Sequence, residues 1–248
     1  MIGLPYLKDD MINTISTKTQ GRVAGLLWFL TTLTGGFGMI YIRSKVIVPG
    51  DASATAANII ASQFWFRAAI VSILASQMFF FFFGLTLFQL FKDISRKTSA
   101  VLLTSLMMSV GIAIVNVFNL FGALIVVSQP DYLRVFTPEQ LNAVATFFLR
   151  MNGSFGQGLL EIFWTPFYFA FGLLVLKSRY LPKILGFLLM VMSVGYAINI
   201  LTKFLNPQFY PALFTQLAMM LGALGGLPTM FWLMIRGVEA QPLDERAT

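Results

Sequence analysis

Glu161 is the one acidic side chain inside the six long apolar stretches of this chain, and polar residues accompany it at helical steps. Ser154, Gln157, Glu161, Thr165 and Tyr168 recur every three or four positions, which puts them on one face of a helix. A charged side chain at the centre of a spanning helix costs about 2.5–3.5 kcal/mol, so it turns toward protein or water. Asn116 and Asn119, three apart, and Asn199 stand at comparable depth in other stretches, with Gln77, Thr34 and Gln216 nearby in depth. Carboxylate and amide groups gathered this way suit recognition of a ligand's polar head. Pro166 adds a backbone carbonyl, that of Ile162, deprived of its helical donor beside Glu161.

Two readings of the polar stripe stand open. In the first, Glu161, Gln157, Asn116, Asn119 and Asn199 line a cavity. In the second they satisfy one another as interhelical glue, a role that in measured cases averages only about 0.6 kcal/mol per contact. Arg67 and Arg150 sit at the outer mouths of the second and fourth stretches. They read either as cations guarding the cavity or binding an anionic head group, or as snorkelling anchors at the membrane surface.

The composition closes off most catalytic chemistry. With no cysteine and no histidine, thiolate nucleophiles, disulfides, the usual general base and the commonest metal ligands are missing. No cofactor or metal is expected. One buried carboxylate without a catalytic motif gives an embedded enzyme little support. Lys203 as a retinal Schiff base is disfavoured by its place at a membrane edge. The net charge of +7 does not imply nucleic acid, because the basic residues flank apolar stretches and form no run.

The elements that position these residues follow from hydropathy. The chain is 57% hydrophobic and 11% charged, against about 25% charged in soluble domains, so it cannot build a water-facing surface. Spans are expected at 23–42, 68–91, 99–127, 152–176, 182–203 and 212–235, each near the roughly 20 residues a helix needs to cross the bilayer. The fold expected is an all-α integral membrane bundle of six transmembrane helices arranged as hairpin repeats. Residues 1–22 would form a cytoplasmic segment, 23–236 the membrane domain and 237–248 a cytoplasmic tail. Residues 1–20 lack the apolar core of a secretory signal and contain Asp9 and Asp10.

With six spans, one side receives Lys8, Lys18, Arg22, Lys92, Arg96, Lys97, Lys177, Arg179, Lys183, Arg236 and Arg246. The other receives Arg43, Lys45, Arg67, Arg134, Arg150 and Lys203. The excess places both termini in the cytoplasm. The connections 43–67 and 128–151 then lie outside, and each reads as a turn followed by a short amphipathic helix. Ile59, Ile60 and Phe64 mark the apolar side of the first. Thr137-Pro138-Glu139-Gln140 is a capping box opening the second, with Leu141, Val144 and Phe148 at helical spacing. Asp51 before Arg67 and Asp131 before Arg150 suggest a duplicated hairpin, although basic flanks recur in any protein of this topology. Gly21 with Gly25 and Gly222 with Gly226 are spaced for close helix contact. Phe79–Phe83, Phe167–Leu176 and Met230–Ile235 make the cytoplasmic half dry, so a cavity would open outward.

The run Lys177-Ser178-Arg179-Tyr180-Leu181-Pro182-Lys183-Ile184-Leu185-Gly186, followed by Gly195-Tyr196, resembles a bacterial membrane family known as domain of unknown function 4386. Arg22 with Ala24-Gly25, Asp51 with Thr55-Ala56-Ala57-Asn58-Ile59, and Glu161-Ile162-Phe163-Trp164 agree with it. Thr165-Pro166 departs from the glycine that commonly follows Phe-Trp there. The resemblance implies a helical protein of the bacterial inner membrane and supplies no activity. The function expected is binding of a lipid or small amphipathic molecule in an outward-facing pocket, with a non-catalytic accessory subunit as the alternative. Membrane lipids, a further copy of the chain or a partner subunit are the expected partners.

Overall fold

Residues 16–205 and 212–239 are described by the computed structural model, with side chains at 154, 155, 212–219, 221 and 222 excepted, and every regular element among them is helical. α1 (Thr17–Tyr41) passes into a π-helical turn, Ile42–Val46. α2 (Ala52–Ala61) and α3 (Gln63–Phe91) meet at Ser62, and α4 (Arg96–Val127) follows a short turn. A 3-10 turn, Asp131–Leu133, precedes α5 (Pro138–Arg150). A second π-helical turn, Met151–Gly156, joins α5 to α6 (Gln157–Ser178). α7 (Lys183–Leu205) and α8 (Ala212–Arg236) complete the chain. Thr17–Val46, Gln63–Phe91, Arg96–Val127, Pro138–Ser178 and Lys183–Leu205 are each long and apolar enough to cross a membrane. The protein is therefore a multi-pass membrane protein.

The long helices pack in chain order: α1 on α3, α3 on α4, α4 on α6, α6 on α7 and α7 on α8. α8 then closes against α1. The result is a ring. Glycines set its tightest joints, because lipid provides no hydrophobic drive and helices must gain van der Waals contact by close approach. A Cβ on Gly25 would overlap the backbone of Met234, and one on Gly21 would lie 2.8 Å from Val238 N, so α1 and α8 touch main chain to main chain. Gly172 and Gly186 form the equivalent joint between α6 and α7, where each Cβ would meet the other's carbonyl oxygen at 2.6 and 2.9 Å. In α8 the joint is Gly225, against Leu188 O at 2.8 Å, whereas Gly226 has nothing nearer than 3.6 Å. The surroundings of Gly222 lie outside what is described.

Two hydrophobic cores occupy opposite ends of the ring. The first is an aromatic plug fed by all six long helices, including Trp28, Phe83, Phe91, Phe171, Leu189 and Leu233. Trp28 lies 5.2 Å from Phe83, 6.3 Å from Tyr168 and 6.1 Å from Phe171 between ring centroids. The second is mainly aliphatic and lies beneath α2 and α5, where Ile59, Phe66, Leu120, Leu124, Leu141 and Leu149 meet. The end opposite the plug is thus partly roofed by apolar packing.

The connecting helices differ in detail from their expected faces. In α2 it is Thr55, Ala56 and Ile59 that turn inward, while Ile60 is exposed, as is Phe64 at the start of α3. In α5, Leu141, Ala145 and Leu149 are buried at four-residue steps, and Val144 is exposed. The capping box at Thr137 and Gln140 forms as expected, with Thr137 N donating to Gln140 Oε1 at 2.8 Å. Asp51 and Asp131 are not equivalent. Asp51 caps α2 by accepting from Ala54 N at 2.8 Å, whereas Asp131 pairs with Arg134 at 2.7 Å and Thr137 is the cap of α5.

Candidate functional site

Between the two cores the ring encloses a lumen with two lobes. The larger, about 440 Å³, lies among α1, α6, α7 and α8. The smaller, about 120 Å³, lies among α1, α3, α4 and α6. Met39 and Arg43 on one side and Gly153, Gln157 and Trp164 on the other line both lobes, so they form the partition between them.

In the larger lobe α6 supplies Gln157, Glu161, Trp164 and Tyr168, a stripe at steps of four, three and four. α7 supplies Met192, Tyr196, Asn199 and Lys203 with the same rhythm, running the opposite way. Antiparallel packing brings these stripes level with one another. Asn199 Nδ2 donates to Glu161 Oε2 at 2.6 Å, and both residues are only 6% exposed, so the carboxylate is held from the α7 side. Below them Trp164 stands edge-on to Tyr196 at 5.4 Å and Tyr196 stacks on Tyr168 at 5.7 Å. Trp28, Met192 and Met230 form the floor, which is the upper surface of the aromatic plug. Above the carboxylate lie Lys203, one helical turn beyond Asn199, and Arg43 in the first π-helical turn. Lys203 and Arg43 both act electrostatically on Glu161.

The other residues anticipated for the site go elsewhere. Asn116 lines the smaller lobe and spends its amide on a clasp, donating to Asn152 O at 3.0 Å while Asn152 Nδ2 donates to Asn116 O at 3.1 Å. The second π-helical turn alters the local hydrogen-bond ladder, and this clasp ties it to α4. Asn119 donates to Asn116 Oδ1 at 3.0 Å and lines neither lobe. Arg67 and Arg150 are exposed and line neither lobe. Gln77 lines the smaller lobe; Thr34 is engaged in α1, and Thr32 faces the larger lobe instead. The side chains of Ser154 and Gln216 lie outside the described residues.

Thr165 leaves the polar stripe as well. Its hydroxyl donates to Glu161 O at 3.0 Å, and its carbonyl accepts from Ser193 Oγ at 2.6 Å. α6 runs unbroken through Pro166, with neighbouring hydroxyls serving the backbone there as they do around proline in other membrane helices.

The short motifs noted in the sequence have structural roles. Arg179 takes the left-handed conformation at φ 56° to end α6; Tyr180 packs on Phe91 at 5.7 Å and accepts at its carbonyl from Glu239 N; Pro182 leads into α7. Thr55 Oγ1 accepts from Val48 N at 3.0 Å, and Asn58 Nδ2 donates to Val46 O at 3.2 Å, which ties the turn after α1 to α2. A ring of apolar spanning helices around a part-polar lumen defines the class as a helical multi-pass membrane protein. Within that class, the chain belongs to the family described as domain of unknown function (DUF4386), whose model matches residues 23–237. No curated protein and no solved structure matches it.

Proposed function

We propose that this chain is a six-span protein of the bacterial inner membrane that binds a lipid or small amphipathic molecule in the larger lobe of its lumen. α8, 25 residues long and packed on both α7 and α1, serves as the sixth span. Lys18, Arg22, Lys92, Arg96, Lys97, Lys177, Arg179, Lys183 and Arg236 lie at the plug end, so the plug faces the cytoplasm and the lumen opens outward. Both chain ends are then cytoplasmic. The carrying observation is the gradient inside the lobe, from an aromatic floor through Glu161 and Asn199 to Lys203 and Arg43 at the mouth. An amphipathic guest meets a partner for each of its ends there, and a cavity of this size falls within the range of small-molecule sites. The packed aromatic plug beneath the lobe favours binding over passive conduction.

Glu161→Gln keeps the shape of the side chain and changes its charge. Lipids and small amphiphiles that raise the melting temperature of the wild-type protein in detergent should lose most of that effect in the variant. Gly226→Leu, which fills the lobe from α8 where a Cβ has ordinary room, should lose it too. Equal stabilisation of all three proteins by every compound would remove the lumen from the account and leave the accessory-subunit reading. A stoichiometric crosslinked partner in native membranes would then support that reading.

A further inference from the structure

The charges in the larger lobe are ordered, and their order restricts the guest. Glu161 lies level with Asn199, to which it is hydrogen-bonded, and Lys203 is four residues farther along α7. That separation is about 6 Å along the helix axis. Arg43 joins Lys203 from the π-helical turn that follows α1, and both line the larger lobe with Glu161. A purely cationic guest would have to pass and then sit beneath two cations. A purely anionic guest would sit above a carboxylate with nothing to offer it. A guest carrying both charges on a short spacer satisfies the whole column.

We propose that the lobe receives a zwitterionic head group, with its ammonium at Glu161 and its phosphate between Arg43 and Lys203. This deepens the lumen-binding reading and rests on it. Trp164 and Tyr196 stand beside the carboxylate, and aromatic faces attract organic ammonium groups in addition to the ion pair. Arg43 and Lys203 present hydrogen-bond donors to phosphate oxygens, the arginine in a planar fork. The two-carbon spacer of a phosphoethanolamine or phosphocholine group spans a distance comparable to one helical turn. The same chemistry is available from a free water-soluble head group and from a diacyl phospholipid entering head first, whose tails, bonded on the phosphate side, leave past Arg43 and Lys203 rather than resting on the aromatic floor.

The test uses the full chain in detergent with intrinsic tryptophan fluorescence as the readout, in which Trp28 and Trp164 line the lobe and Trp65 and Trp232 supply a background. The probes are phosphoethanolamine, phosphocholine, ethanolamine, choline and inorganic phosphate. In parallel, the chain in nanodiscs of phosphatidylethanolamine is compared with the chain in phosphatidylglycerol by melting temperature. The zwitterions, free or as lipid, are expected to bind, and Glu161→Gln, Arg43→Gln and Lys203→Gln each to weaken them about tenfold or more. Binding of the free groups identifies a soluble guest, and a response confined to phosphatidylethanolamine identifies a lipid. Phosphate or phosphatidylglycerol acting as well as the zwitterions, or an unchanged response in Lys203→Gln, would overturn the head-group assignment. If another amphiphile still loses its effect in Glu161→Gln and Gly226→Leu, the lumen reading survives that result. If no compound responds to either variant, both readings fall.

Discussion

Replacing Gly25 with leucine should eliminate most of the folded, monodisperse protein recovered in detergent, while the same change at Gly36 should be tolerated. The difference lies in what each Cα faces. At Gly25 the first added carbon overlaps main-chain atoms of Leu233 and Met234, which cannot swing aside as a side-chain tip would. α1 and α8 would have to separate, and that contact is the one that closes the ring. Overpacking in well-filled interiors costs about 1–3 kcal/mol when side chains can adjust, and a backbone obstruction lies at or above the upper end. Gly36 meets nothing within 4 Å of its Cβ. Size-exclusion profiles and melting temperatures of the two variants check the prediction directly; comparable yields would mean that α1 and α8 are not joined at Gly25.

Trp28→Ala should lower stability by about 3–5 kcal/mol, the range for emptying a buried aromatic site. Trp28 is 6% exposed and touches Phe83 of α3 and Tyr168 and Phe171 of α6, so it joins α1 to both helices and also forms part of the floor of the larger lobe. Removing it leaves an apolar void below the lumen. Because such voids accept small aromatic molecules, indole added to the buffer should restore part of the lost melting temperature in Trp28→Ala and little in the wild type. Trp28→Phe should retain most of the stability. A loss below about 1 kcal/mol in the alanine variant, outside the range for a packed ring, would mean that the plug does not depend on this contact.

The sequence made Glu161 conspicuous because a lone acid among apolar residues has no structural default. Its partner Asn199 was readable for the same reason. Arg43 and Lys203 were not, since basic residues at helix ends normally mark topology, and only the closed order of helices turns these two into the lumen. Arg150 shows how a helical projection fails. At 3.6 residues per turn Arg150 would share a helix face with Glu161, but that count ignores the π-helical turn at Met151–Gly156, which carries more residues per turn. One inserted residue rotates the face by about 100°, enough to send Arg150 to the outside. Thr165 fits the polar rhythm in the sequence, yet it is the aromatic Trp164 that faces the larger lobe. The aliphatic roof was equally hidden: α5 offered Leu141, Val144 and Phe148 as readily as Leu141, Ala145 and Leu149, and packing against α4 and α2 decided between them.

Binding in the lumen requires that it be reachable from one face of the membrane. The chain contains no cysteine, so Ala223→Cys places a single thiol on the wall of the larger lobe. A membrane-impermeant maleimide should label it in right-side-out vesicles and leave it unlabelled in sealed inside-out vesicles, with the opposite outcome for Lys92→Cys at the plug end. A thiol at 223 that reacts only from the cytoplasmic face, or from neither face while remaining reactive in denatured protein, would contradict the outward-opening lumen.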